Sequence, residues 1–282
     1  MKLKSKRNQK EQVLKVILTI LLVALGIANI FPFIFMLSSS FKPLNQIFTY
    51  PIKLIPETFI TSNYENLFSP QYDFIRWYGN TIFVVVTIIL LKAMIVSLTA
   101  YAFSKLHFKG RDTLFVVLLS SMMIPPDVVL VPKYIIFRWL HLTDSPWAII
   151  CPAVFDVFFV FLLRQFFMGI PNELSEAAII DGCNHFQIYS RIIMPLAKPA
   201  VTTMVMFTFI WAWNDYMSPY IFITDPKKQL LSVGMKMFQI NNSVDYGLVM
   251  AAATLVLAPI LIVFIFAQKY FVQGIATSGM KN

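Results

Sequence analysis

"LSEAAIIDGCNHFQIYSRIIMP", residues Leu174 to Pro195, places Glu176, Asp181, His185 and Arg191 between two long apolar runs. Upstream, Pro171 suits the first turn of a helix, and Glu173 and Glu176 favour its positive end. Leu174, Ala177 and Ala178 recur at helical spacing. Gly182 can take the left-handed conformation that closes a helix. Asn184 can then cap a second short helix, on which Phe186, Tyr189, Ile192 and Ile193 share a face before Pro195 ends it. The stretch reads as two short amphipathic helices meeting at a glycine. Ala177 and Ala178 leave a low surface against which another backbone can pack closely. It is either a catalytic loop or a surface that something else grips.

The rest of the chain supplies the setting. Of 282 residues, 58% are hydrophobic and 13% charged, with 27 Phe, and the mean hydropathy is +0.70. A soluble core needs far less, so this is a multi-spanning membrane protein. About 20 apolar helical residues cross a bilayer, and runs of that kind occur at 13–37, 81–103, 113–131, 148–168, 200–223 and 247–271. Six transmembrane helices of an all-α protein follow, with Pro125 and Pro126 interrupting the third. The first fifteen residues hold six Lys or Arg against one Glu, and no small-residue cleavage site follows, so the basic amino terminus, 1–12, is cytoplasmic and uncleaved. Six spans return the carboxyl-terminal tail, 272–282, to the cytoplasm. With that topology 14 Lys and Arg lie inside and 8 outside, with Lys92 within a span. Residues 13–271 form one permease-like domain without internal repeats, and 169–199 is cytoplasmic. The basic residues flank apolar runs instead of forming a face with interleaved aromatics, which excludes nucleic acid and leaves membrane lipid as the surrounding partner. Cys151 and Cys183 read as small packing residues, with no disulfide framework or metal site.

The opening stretch also carries a family resemblance. It is similar to the EAA loop of ABC-importer permease subunits, through Glu176, Ala177, Ala178, Gly182, Ile192 and Pro195, with Met194 where Leu is usual. "TAYAFSKLHFKGRDTLF", "MMIPPDVVLVPKY" and "FIWAWNDYMSPYIF" extend the resemblance over most of the chain from Asn80 onward. Together they resemble the carbohydrate-uptake branch, and its smaller maltose-type permease in particular. The resemblance implies a bacterial-type inner-membrane, multi-pass permease subunit that is not an enzyme. Its partners would be a second homologous permease, a cytoplasmic ATPase dimer and an extracellular or periplasmic solute-binding protein. It also implies that loop 171–195 is the coupling helix seated on the ATPase, with Glu176 bonding at the rim and Gly182 setting the angle between the helices. Asp181 and Arg191 complete the charged rim. An amphipathic loop lying on lipid is the plainer alternative for this segment.

ATP would bind the partner and not this chain, which therefore carries no cofactor. "GIATSGMKN" nearly spells a phosphate-binding loop, but Met280 intrudes before Lys281, and no strand precedes it. Three charges stand within the spans: Lys92, Asp156 and Asp215. Each must face protein or water, because a lipid-facing charge at mid-depth costs about 2.5 to 3.5 kcal/mol. Lys92 and Asp156 come within a lysine's reach of each other, as a structural pair or as part of a transport path. Trp213, Asn214, Asp215 and Tyr216 in "WAWNDY" offer rings and hydrogen-bonding groups suited to sugar, although aromatic residues near an interface are also ordinary belt anchors. No HExxH, Cys-x-x-Cys or Ser-His-Asp arrangement suggests chemistry. An ion-coupled secondary transporter of small polar solutes is the alternative function, but it would call for a charge relay and inverted repeats.

Overall fold

A computed structural model describes residues 2–240 and 243–279; the side chains of 2–10, 239–243, 267 and 269–279 lie outside the description. Among the described residues the architecture is helical, with one two-residue antiparallel pair, Gln239–Ile240 against Ser243–Val244. Among the described residues, four stretches are long and apolar enough to cross a membrane: Glu11–Ser39, Phe74–Lys105, Trp147–Met168 and Tyr246–Phe266. A fifth is the bent pair His185–Leu196 and Lys198–Trp213. The chain divides into two compact units, Met1–Tyr72 with Phe238–Leu257 and Asp73–Met237 with Ala258–Asn282.

In the first unit, helix α1 (Lys2–Ser39) shows no buried residue across its most apolar window. The segment after it is knitted by polar contacts. Asn63 donates to the carbonyls of Ser40 and Lys42 at 2.9 and 3.0 Å, and the Tyr64 hydroxyl donates to Ser40 at 2.8 Å. Phe41 stacks on Phe59 with ring centroids 4.6 Å apart. The last helix, Tyr246–Gly279, begins where the Asp245 carboxylate accepts the Gly247 and Leu248 N–H groups, both at 3.1 Å. Those are amides that a helix start leaves without partners. Residues 241 and 242, and residues 280–282 of the tail, are outside the described residues.

The spine of the second unit is α2 (Phe74–Lys105). Next come α3 (Arg111–Ser120), α4 (Leu130–Trp139), α5 (Trp147–Val154) and α6 (Val157–Met168). The expected third span, 113–131, is therefore not one helix. Pro125 and Pro126 supply no N–H groups, and Ile124 before them is extended, at φ −83° and ψ 115°. The expected fourth span also breaks, at Phe155 and Asp156, both extended. Asp156 caps α6 by accepting the Phe158 N–H at 3.1 Å. The expected fifth ends early, at Trp213, and resumes as Met217–Phe222.

Two apolar clusters lie along α2. Toward one end, Val84 and Ile88 pack with Ile149, Ile150 and Val154 of α5. Toward the other, Val96, Ala100 and Tyr101 pack with Phe159, Val160, Leu163 and Phe167 of α6. Lys92 lies between the two. At the far end Arg164 joins three helices: Nε donates to the Phe103 carbonyl at 3.1 Å, the guanidinium lies 4.1 Å from the Phe115 ring centre, and Asp112 is 3.9 Å away.

The opposite end of α2 is tied to the 226–234 segment. Trp77 Nε1 donates to the Pro226 carbonyl at 2.8 Å, and Thr81 Oγ1 accepts the Leu231 N–H at 2.9 Å. Gly234 lies flat against Trp77, so that an added Cβ would stand 2.4 Å from two atoms of the indole. Gly234→Ala is expected to cost about 1–3 kcal/mol through overpacking, measured as a lower melting temperature in detergent. Unchanged melting would mean that the indole moves aside freely.

Candidate functional site

The loop from 171 to 195 folds as two helices around Gly182. The first, α7 (Glu173–Ile180), is closed by Gly182 at φ +81°. Cys183 N–H donates to the Ala178 carbonyl at 2.9 Å and Gly182 N–H to that of Ile179 at 3.0 Å, the bond pair of a Schellman motif. Asn184 then caps α8 (His185–Leu196) reciprocally: its Oδ1 accepts the Gln187 N–H at 2.9 Å, and Gln187 Oε1 accepts its N–H at 2.8 Å. Lys105 fixes the entry to α7, donating to the Ile170 carbonyl at 2.6 Å and to Asn172 Oδ1 at 2.7 Å.

Three details depart from expectation. Pro195 does not end the second helix, which continues to Leu196 and bends by 79° into α9 (Lys198–Trp213). Residues Tyr189–Ile193 form a π-turn, whose wider winding accommodates a proline ring that would crowd the carbonyl four residues back. The buried face is Ile188, Tyr189 and Ile193, and Phe186 is 67% exposed. Of the two alanines only Ala177 is open; Ala178 is buried within the chain's own core. The Tyr189 and Ser97 hydroxyls meet at 2.7 Å, joining this loop to α2.

What remains on the outside is an apolar ridge with a charged rim. Ile180 is 86% exposed, Leu174 and Ile179 are also open, and Glu176, Asp181 and Arg191 are exposed around them. The Glu176 carboxylate has no hydrogen bond or ion pair among the described residues. Beside it lies a cavity of about 750 Å³ lined by Glu176, Ile179, His185, Lys105, His107 and Arg111. No group of three or more His, Cys, Asp or Glu among the described residues could hold a metal.

A second site lies where α5 gives way to α6. Lys92 Nζ donates to Asp156 Oδ2 at 3.1 Å, with side-chain exposures of 6% and 25%. The ammonium also stands 5.2 Å from the Phe159 ring centre. One Asp156 oxygen thus caps a helix while the other accepts from lysine, and two demands on a mid-chain carboxylate are met together. A cavity of about 250 Å³ adjoins Lys92 and is lined by Ile88, Ile149, Thr208, Trp211 and Asp215 among others.

Of the four residues singled out in "WAWNDY", only Asp215 lines it. Trp213 is buried, stacked on Phe209 at 5.4 Å and edge-on to Tyr78 at 5.7 Å. Asn214 turns back to donate to the Ile210 carbonyl at 2.8 Å, and Tyr216 stacks on Tyr220. Thr208 and Trp211 line it instead. The signal was helical spacing: Thr208 and Trp211 stand three residues apart on α9 and so share one face. Cys151, expected as a packing residue, is exposed, whereas Cys183 packs against the core.

Comparison with known proteins places these features. Residues 93–277 match the family model described as "Binding-protein-dependent transport system inner membrane component". The chain is 28% identical over 278 residues to the arabinooligosaccharides transport system permease protein AraQ of Halalkalibacterium halodurans, covering 98% of this chain and 100% of that protein. It is 33% identical over 262 residues to the probable ABC transporter permease protein YurM of Bacillus subtilis, covering 91% and 85%. Its fold is similar to a chain of a bacterial ABC transporter involved in the import of the acidic polysaccharide alginate, at a TM-score of 0.85 and 25% identity, over 93% of this chain and 98% of the other. The fold is that of an ABC-importer permease, and a transport component of this kind is neither an enzyme nor a free-standing ion-coupled carrier. The chain belongs to the family of inner-membrane components of binding-protein-dependent transport systems.

Proposed function

We propose that this chain is one of two related permease subunits through which an ATP-driven importer passes carbohydrate inward. The observation that carries the coupling part is the 171–195 loop: two helices locked at Gly182, presenting Ile180 and Phe186 to the outside within a rim of Glu176, Asp181 and Arg191. An exposed apolar ridge on a loop fixed at both ends suits seating in a cleft of a cytoplasmic ATPase, whose closure would move the loop as a body. ATP would bind that ATPase. The Ser97–Tyr189 contact joins the loop to α2 and would pass the movement toward Lys92. Carbohydrate is supported by the named cargoes of the arabinooligosaccharide and alginate systems that the chain resembles.

In this reading both termini are cytoplasmic and the chain crosses six times. The paired segments Arg111–Ser120 and Leu130–Trp139 would make the crossing that no single helix makes. A solute-binding protein delivers cargo to the outer face. Lys92, Asp156 and Asp215 belong to the path, while Trp213, Asn214 and Tyr216 serve packing.

Phe186→Asp tests the docking surface. An interface anchor of this size carries about 2 kcal/mol or more, or roughly thirty-fold in affinity. The variant is therefore expected to insert normally but to lose its ATPase on detergent purification, and Glu176→Lys to abolish ATP-driven uptake. Co-purification and uptake both at wild-type level would undo the assignment.

A further inference from the structure

We propose that the cavity beside Lys92 holds one uncharged sugar ring of the cargo and turns acidic sugars away. The proposal rests on the carbohydrate reading above and names the class of sugar.

Three groups on the cavity wall point to a ligand. Thr208 is 2% exposed, and its hydroxyl has no partner among the described residues. Helical threonines ordinarily back-bond to the preceding turn, as Thr99 and Thr203 do here. A buried hydroxyl without any bond is costly, and lining a cavity gives it a place to find one. Trp211 is 49% exposed while its ring rests on Phe159 and Phe207, with centroids 5.3 and 5.7 Å away. It is a braced apolar platform of the kind on which a pyranose or furanose face packs. Asp215 Oδ1 is occupied by the Ser218 N–H at 3.1 Å, which leaves Oδ2 to accept from sugar hydroxyls.

Charge then selects among sugars. Lys92 also lines the cavity, but Asp156 holds its ammonium at 3.1 Å, so Asp215 is the lining charge without an ion-pair partner among the described residues. A uronate carboxylate held about 6 Å from it would, at an effective dielectric constant of about 20, be disfavoured on the order of a hundred-fold. The volume, about 250 Å³, is below the roughly 300 Å³ at which small-ligand pockets usually begin, which fits one ring and not a longer chain. Cargo would pass ring by ring.

The test is equilibrium binding of arabinotriose, maltotriose and tri-mannuronate to the detergent-purified transporter complex, followed by tryptophan fluorescence, together with uptake of the same sugars into vesicles. At least one neutral trisaccharide is expected to bind saturably and tri-mannuronate about a hundred-fold more weakly. Asp215→Asn should shrink that gap below about tenfold. Thr208→Val should weaken neutral binding by about five- to tenfold. Tri-mannuronate binding as tightly as the neutral sugars, or a gap that Asp215→Asn leaves intact, overturns the proposal. So does sugar uptake without detectable binding, although the carbohydrate reading then stands. Absence of uptake for every saccharide would remove that reading as well.

Discussion

Replacing Lys92 by methionine is expected to be among the most damaging single changes in the membrane interior. The substitution keeps volume and removes the ammonium, so Asp156 loses the donor 3.1 Å from its Oδ2 and keeps only the Phe158 N–H. Removing one member of a buried ion pair costs about 3–5 kcal/mol. The lower end applies here because the Asp156 side chain is 25% exposed. The variant should accumulate poorly in membranes and melt well below the parent in detergent. Adding Asp156→Asn should recover much of the loss, since the amide still caps α6 and leaves no lone charge. The exchange Lys92→Asp with Asp156→Lys should transport better than either single reversal. Equal failure of all three would leave direct pairing without support. Because α5 and α6 part company at this carboxylate, the same measurements show whether the pair holds the break together.

Gly182→Val is the second large effect, and it separates coupling from folding. At φ +81° an L side chain costs about 1–2 kcal/mol, and a β-branched one more. An added Cβ would meet nothing within 4 Å, so the penalty is conformational and not a clash. It falls on the turn between α7 and α8 and not on the buried clusters. The chain should therefore reach the membrane in near-normal amount while ATP-driven uptake drops by tenfold or more. Gly182→Asn is the control, because asparagine tolerates the left-handed region, and it should keep most of the uptake. If valine were as active as glycine, the angle between the helices would not matter to coupling.

Much of this was legible in the residues, for reasons that can be named. Long apolar runs announced the membrane, and Gly182 with Asn184 announced a helix stop and start, because each depends on local chemistry that acts over a few residues. The Lys92–Asp156 contact was within reach of the sequence, because a charge inside an apolar span must find a protein or water partner and these are two of the three such charges. The break at Phe155 was hidden, because an aspartate capping a helix and one facing a neighbour look alike in sequence. Phe186 does adjoin Tyr189, with ring centroids 6.0 Å apart, but it is exposed where Tyr189 is buried, and an even 3.6-residue count does not foresee the π-turn that follows. "WAWNDY" drew attention to four consecutive residues, but the helix stops at Trp213, and the cavity also takes Thr208 and Trp211 from its preceding turns. Trp211 and Thr208 were lost to that proximity in sequence.

The π-turn at Tyr189–Ile193 makes the distance from Gly182 to the 79° bend a matter of counting. Such a turn is an α-helix with one surplus residue, and at 3.6 residues per turn that residue is worth a rotation of about 100°. Remove it, and a smoother helix forms whose Phe186 swings about a quarter-turn around the axis while Tyr189 swings away from Ser97. Residues 183–196 can thus exchange side chains within their roles, but the segment has no length to spare: a single-codon deletion there would re-aim the whole ridge without altering any residue on it.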